Sequence, residues 1–194
     1  MPQFDLRGIK VAKYVNTNGV ISYTDAQALG DAMTANLEMR FAEGRLYAES
    51  TLAEYMRKAT GGTISVGVKY IKQAAQKLLF GSTEKARSIT VSGSTVSVTG
   101  LVLGAKSTGA YVGIAFYAPD MIDGVEKCTC VFAHKTLFGP PSMTLQTAGE
   151  SIQFNTPVTS GEFLADDGSD QDMLEVAICD SEDAAIAWVT AVLA

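Results

Sequence analysis

Three side chains that could bind a metal stand close together at Cys128, Cys130 and His134. Thiolates and imidazole nitrogens are the ligands of structural zinc sites, which normally take four of them. Cys179 would have to supply a fourth ligand from far along the chain. The spacing leaves two interpretations open: a zinc site, or two small buried thiols beside a hydrogen-bonded histidine.

Four carboxylates crowd a second segment, at Asp166, Asp167, Asp170 and Asp172 around Gly168. Carboxylate oxygens bind calcium, but the segment lacks the central glycine and the closing glutamate of an EF-hand loop. A calcium loop and a solvated acidic turn are both open interpretations, and we expect the acidic turn.

Signatures of common enzymes are missing from the sequence. It has no Gly-rich phosphate loop followed by Lys-Ser or Lys-Thr, no nucleophile elbow and no His-Glu-x-x-His helix. A single histidine leaves little room for acid–base chemistry. We therefore expect neither an enzyme nor a bound cofactor.

The composition points to contacts between subunits. Of 194 residues, 47% are hydrophobic and only 19% are charged, a low share for a soluble domain. Residues 1–97 carry 12 basic and 8 acidic residues, a net +4, whereas residues 98–194 carry 3 and 13, a net −10. This asymmetry favours head-to-tail association of identical subunits, although a merely solvated acidic surface would give the same pattern.

Targeting signals are not apparent in the sequence. Met1–Lys13 contains no continuous apolar block of signal-peptide length, and Ala184–Ala194 is far shorter than the roughly 20 residues that span a bilayer as a helix. We expect a protein outside the membrane, with reduced thiols in a cytoplasmic setting.

Alternating apolar residues predict many short strands, and turn residues separate them. The predicted strands are Ile9–Val15 and Val20–Tyr23 about an Asn18-Gly19 turn, Thr34–Glu43, Thr63–Tyr70, a hairpin over Arg87–Val102, Ala110–Tyr117, Val125–Phe138, Ser151–Phe154, Pro157–Leu164 and Met173–Ile178. Helical spacing predicts Ile71–Phe80, ended by Gly81, and Asp180–Leu193, with Asp180 or Ser181 as N-cap.

The segment Thr51–Gly62 does not fit the strand pattern. Leu52, Tyr55 and Met56 have helical spacing, but the segment is short and ends in Gly-Gly. We predict a partly ordered loop there. The whole chain, residues 1–194, is then a single mainly β domain, an antiparallel sandwich or barrel-like fold with a flanking helix and a C-terminal helix.

An ordered set of motifs resembles a known family. The motifs are GIKVAKY with a short hairpin, RLYAES, GTISVGVKY running into a helix that ends LLFG, GAYVGIAFY, a DG turn, HKTLFGPPSMTLQTAGESIQFNTPVTSGEF and a closing helix with Trp188. The sequence is similar to the major tail protein, the tail tube subunit, of long non-contractile-tailed bacteriophages. The resemblance covers nearly the whole chain and is most specific over Tyr111–Gly161.

This resemblance implies a tail tube fold and a structural role in the virion. Six copies would form a ring whose inner sheets join into a barrel, and stacked rings would form the tail tube, assembled in the host cytoplasm. Its partners would be further copies of itself, the tape measure protein, tail tip and tail terminator proteins, and DNA passing through the lumen without specific binding. No membrane partner is implied.

The sequence departs from the family at two places, a hairpin-like insertion near 88–101 and a loop at 51–60 that is rich in helix formers. By the same resemblance, the region 42–62 is predicted to reach a neighbouring ring. Its apolar anchors would be Leu46, Tyr47, Leu52, Tyr55 and Met56. The alternative is that these five residues are ordinary core.

Two other functions are compatible with such a fold. One is the tube subunit of a contractile or type VI secretion-like injection device, which would need a sheath partner. The other is a carbohydrate-binding β-sandwich, which would be a monomer with an exposed aromatic platform.

Overall fold

The computed structural model describes residues 5–143 and 156–194. The elements in these residues are β1 Arg7–Thr17, β2 Val20–Ala28, β3 Ala32–Ala48, β4 Thr51–Val68, α1 Gln73–Phe80, β5 Thr83–Val91, β6 Ser94–Val102, β7 Val112–Ile122, β8 Val125–Phe138, β9 Val158–Leu164, β10 Leu174–Cys179 and α2 Glu182–Ala191. The predicted mainly β class with two helices is confirmed. The strand predicted at Ser151–Phe154 lies outside the described residues.

The first hairpin forms where the sequence predicts it. Asn18 and Gly19 both have positive φ angles, 55° and 86°, as a tight hairpin turn requires. The Asn16 side chain accepts a hydrogen bond of 2.8 Å from the Gly19 N–H. The turn therefore fixes the register in which β1 pairs with β2.

All strand pairs in the main sheet are antiparallel, in the order β2-β1-β7-β8-β9-β4-β3. The long strand β8 connects two layers. Its first half pairs with β10 through Cys128–Ala133, and its second half pairs with β9 through Lys135–Phe138.

The main core lies between these two layers. Ile9 and Ile114, from β1 and β7, form one buried cluster with Ile64 and Phe163, from β4 and β9. In β9 the buried residues alternate with exposed ones, so this strand presents one apolar face inward, whereas β7 is buried on both faces. The arrangement is a sandwich closed on one side by β8.

Helix α1 covers one end of the main core. Its buried residues Ala75, Leu79 and Phe80 belong to the main cluster. The helix ends at Gly81, which has a φ of 64°, a left-handed conformation that glycine adopts without steric cost. Both the helix and its glycine end were predicted from the sequence.

A second core lies on the opposite face of β1, β7 and β8, beneath α2. Ala185 and Val189 of the helix pack with Ala115, Cys130 and Phe132 of the strands. Of the two residues predicted as N-cap, Ser181 has that position, and its Oγ accepts a hydrogen bond of 3.2 Å from the Ala184 N–H.

The prediction of a loop over Thr51–Gly62 is wrong. This segment is the first part of β4, and it pairs with β3 over its whole length. The helical spacing of its apolar residues was misleading because both faces of this ribbon are exposed and no core imposes strict alternation. The hairpin predicted near 88–101 is present as β5 and β6.

In the described ranges, neither helix has the length and hydrophobicity needed to cross a membrane.

Candidate functional site

The five residues predicted to be interface anchors all lie on the surface of the β3–β4 hairpin. Their exposed fractions are 58% for Leu46, 61% for Tyr47, 49% for Leu52, 49% for Tyr55 and 74% for Met56. The alternative that they form ordinary core is therefore wrong. Their role in contacts between subunits stays a prediction.

These residues belong to a two-stranded ribbon that we call the arm, residues 41–60. The sheet continues from β4 to β9 only through Gly62–Gly67. Beyond that point the two strands of the arm pair only with each other in the described part of the chain. At about 3.3 Å per residue, Phe41–Ala48 extends roughly 25 Å from the body.

The arm has apolar side chains on both of its faces. Residues paired across an antiparallel ribbon share a face, and alternate residues along a strand change face. Arg45 pairs with Tyr55 and Tyr47 pairs with Leu52, which defines the aromatic face. The aliphatic face carries Leu46 and Met56, as shown by the pairing of Gly44 with Met56.

Charged side chains organise the aromatic face. The Arg57 guanidinium lies 3.7 Å from the centroid of the Phe41 ring, and that of Arg45 lies 5.7 Å from the Tyr55 ring. Glu43 lies between the two arginines, with nitrogen–oxygen distances of 3.6 and 3.7 Å. A hydrogen bond to Glu43 raises the pKa of Tyr55 above its ordinary value. Cation–π contacts stabilise such exposed rings only modestly. Much of the apolar area of these rings still faces solvent.

A bulge sets the direction of the arm at its base. Arg40 pairs with Gly61 and Phe41 pairs with Ala59, so Thr60 is an extra residue on β4. Gly61 has a φ of 124°, and a Cβ there would lie 2.6 Å from the carbonyl oxygen of Phe163. The bulge requires glycine at this position because both the backbone angle and the space exclude a side chain.

The β5–β6 hairpin is a second exposed ribbon, and we call it the cationic hairpin. The charged and aliphatic residues on its apolar face are Lys85, Arg87, Ile89, Val91, Val96, Val98 and Val102. Its five aliphatic residues are between 40% and 51% exposed. The opposite face is mostly serine and threonine, with Glu84 in an ion pair to Lys77 at the base.

The sequence pattern predicts this hairpin, but the prediction did not include the difference between its apolar, basic face and its polar face. The signal was available in the alternation of Lys85, Arg87, Ile89 and Val91 along β5. Two-stranded hairpins are marginally stable in water unless something covers an apolar face. Both ribbons of this molecule therefore leave apolar side chains exposed to solvent.

The three residues of the possible zinc site do not converge. Cys130 Sγ lies 3.5 Å from Cys179 Sγ, whereas the His134 ring packs against Phe132 with centroids 4.4 Å apart. His134 Nδ1 is 3.6 Å from Asp166 Oδ2. In residues 5–143 and 156–194, no three histidine, cysteine or acidic side chains are grouped to hold a metal ion.

The thiols lie in the second core. Burial raises the pKa of Cys128 and raises that of Cys130 to about 12. Because thiolates are the metal-binding and nucleophilic form, these surroundings favour the inert thiol.

The acidic segment forms a turn held by its own hydrogen bonds. Asp166 Oδ1 accepts from the N–H groups of Gly168 and Asp172, at 3.0 and 3.1 Å. Asp167 accepts from Lys135 Nζ at 2.6 Å and from Tyr14 Oη at 3.1 Å. These carboxylates thus have structural partners within the chain.

The arm and the cationic hairpin are both two-stranded ribbons that expose apolar side chains to solvent. Neither the models of known protein families nor the curated proteins compared with the sequence match it.

Proposed function

We propose that this chain is a structural virion protein that self-assembles into stacked rings to form the tail tube of a bacteriophage. The tube would house the tape measure protein and then conduct DNA into the host. The ring number of six follows from the sequence resemblance, as do contacts with tail tip and tail terminator proteins.

The observation that carries this proposal is the arm. Its residues from Phe41 to Lys58 are exposed, and it has apolar side chains on both faces. A ribbon that covers neither face within its own subunit favours insertion between two neighbouring subunits. Contacts on both faces are what a stacked assembly supplies.

The charge of the chain supports the second half of the proposal. A net charge of −6 disfavours tight binding to a polyanion. DNA could then slide through a lumen of this protein without being held, which is what a conduit requires.

Substitutions on the arm test the proposal, with Tyr55→Asp and Met56→Asp combined in one variant. Because the two side chains lie on opposite faces, the variant places a carboxylate on each. We expect a folded subunit, since neither residue contributes to a buried core, but no tube growth in negative-stain electron microscopy.

Val20→Asp is a matched control, because Val20 is 68% exposed at the tip of the first hairpin and lies outside the arm. It should fold and assemble as the wild type does. Normal tubes from the Tyr55→Asp, Met56→Asp variant would show that the arm does not join subunits.

A further inference from the structure

A groove with acidic walls lies between the β7–β8 turn and the start of α2. It encloses about 300 Å³, and Glu126, Asp180 and Glu182 line it together with a single lysine, Lys127. Lys127 Nζ is 2.9 Å from Asp180 Oδ1, and Arg7 Nη1 is 2.8 Å from Glu182 Oε1, so cations offset two of the three carboxylates and Glu126 keeps its charge. We call this feature the acidic groove.

An exposed apolar residue lies beside this groove. Met121 of β7 pairs with Glu126, on the face of the sheet that lines the groove, and it is 45% exposed. Asp123, in the turn, and Asp183, in the first turn of α2, add acidic side chains to the same end of the molecule. The surface therefore combines carboxylates with uncovered aliphatic area.

The cationic hairpin has the complementary character. Lys85 and Arg87 share its apolar face, and no acidic residue lies on that face. Two such faces would repel each other if they packed together, because like charges would meet. An acidic, partly apolar surface is the partner that this face fits.

The base of the cationic hairpin and the acidic groove lie at opposite ends of β8. The chain leaves β6 at Leu103, which lines a cavity with Phe80 and Phe138 at the carboxyl end of β8. The acidic groove is at the amino end of β8, around Lys127. At about 3.3 Å per residue, the strand separates these ends by roughly 35 Å. The groove is lined by Pro119 and by residues 126–128 and 180–182, and by none of the hairpin.

We propose that the cationic hairpin of one copy docks in the acidic groove of the next copy. This contact rests on the proposed self-assembly, and it identifies two surfaces that would join neighbouring copies. Since the two surfaces differ and lie far apart, the contact is head-to-tail and repeats from copy to copy. Lys85 and Arg87 meet Glu126 and Asp180, while the valines of β6 cover Met121 beside the groove.

Paired charge reversals test this contact. One variant carries Lys85→Glu and Arg87→Glu, and the other carries Glu126→Lys and Asp180→Lys. Each variant alone has two surfaces of like charge, so its self-association should weaken at least about ten-fold, as for close interfacial charge pairs. In an equimolar mixture every hairpin meets a groove of opposite charge, and association should return to within about three-fold of the wild type.

Sedimentation velocity across a concentration series measures the association, and thermal unfolding followed by circular dichroism verifies that each variant is folded. Lys69→Glu with Lys72→Glu is the matched control, because it changes the net charge equally at two exposed lysines away from the hairpin. This control should associate as the wild type does.

Wild-type-like association of the Lys85→Glu, Arg87→Glu variant would overturn the contact, as would a mixture that associates no better than either variant alone. A wild-type chain that stays monomeric would overturn it as well. Pairwise rescue without hollow tubes would support the contact and contradict the tail tube. Tubes built equally well by the hairpin variant would support the tail tube and contradict the contact.

Discussion

Asp167 connects the acidic turn to the body of the protein. Its carboxylate accepts hydrogen bonds from Lys135, at 2.6 Å, and from Tyr14, whose hydroxyl also accepts from the Asp167 N–H at 2.9 Å. The bond from Lys135 is the largest cause that lowers the pKa of Asp167 below its ordinary 3.8, followed by that from Tyr14. The native state therefore favours the ionised carboxylate.

This preference predicts a loss of stability in acid. A carboxylate with a lowered pKa stabilises the folded state at pH values above its unfolded pKa, and the stabilisation is lost as the pH falls through the folded pKa. We expect the urea midpoint of the wild type to fall between about pH 5 and about pH 2 more than that of Asp167→Asn.

Asp170→Asn, in the same turn, is the matched control and should follow the wild type. Equal acid sensitivity of Asp167→Asn and the wild type would show that the Lys135 and Tyr14 bonds do not stabilise the fold.

Among the elements, β9 positions the arm. It pairs with β4 on one edge and with β8 on the other, directly below the bulge at Gly61. Phe163 of β9 is fully buried in the main core, and its ring occupies the space that a side chain at Gly62 would need. The base of the arm is thereby fixed by core packing, while its distal part is not.

We predict that Phe163→Ala destabilises the protein by about 3–5 kcal/mol, because it removes a fully buried aromatic ring and leaves a cavity. Urea unfolding followed by circular dichroism measures the loss. Leu164→Ala, at the neighbouring 36% exposed position, should cost much less. Similar losses for the two variants would contradict the role assigned to Phe163.

Local signals in the sequence predicted most elements correctly because a core or a turn imposed each pattern. Asn18-Gly19 requires a tight turn, Gly81 ends α1, and Ser181 caps α2. The strand over Thr51–Gly62 was not predicted, because both faces of its ribbon are exposed. In addition, bulges at Ala53 and Thr60 shift the alternation of its side chains. Without a core to select one face, the pattern resembles that of a helix.

In the folded molecule the uneven charge of the sequence is separated only in part, because Arg7 of the basic half pairs with Glu182 of the acidic half. The basic half of the chain contributes the cationic hairpin, and the acidic half contributes the groove at the other end of β8. Composition alone predicted the asymmetry and the need for subunit contacts. It could not identify the groove, because Glu126 and Asp180 are brought together only by the sheet and the helix.

Both exposed ribbons leave apolar side chains uncovered within the subunit. The arm and the cationic hairpin place aliphatic and aromatic residues in solvent that a compact monomer would cover. Neighbouring copies would bury this area in an assembly. The sequence predicted the five arm residues as a group, but the division into two faces depends on strand register.

Self-assembly into a tube can be tested by negative-stain electron microscopy of the wild-type protein across a concentration series, with light scattering for mass. We expect rings or hollow tubes whose length and mass grow with concentration. A particle with the mass of one chain at every concentration would contradict it.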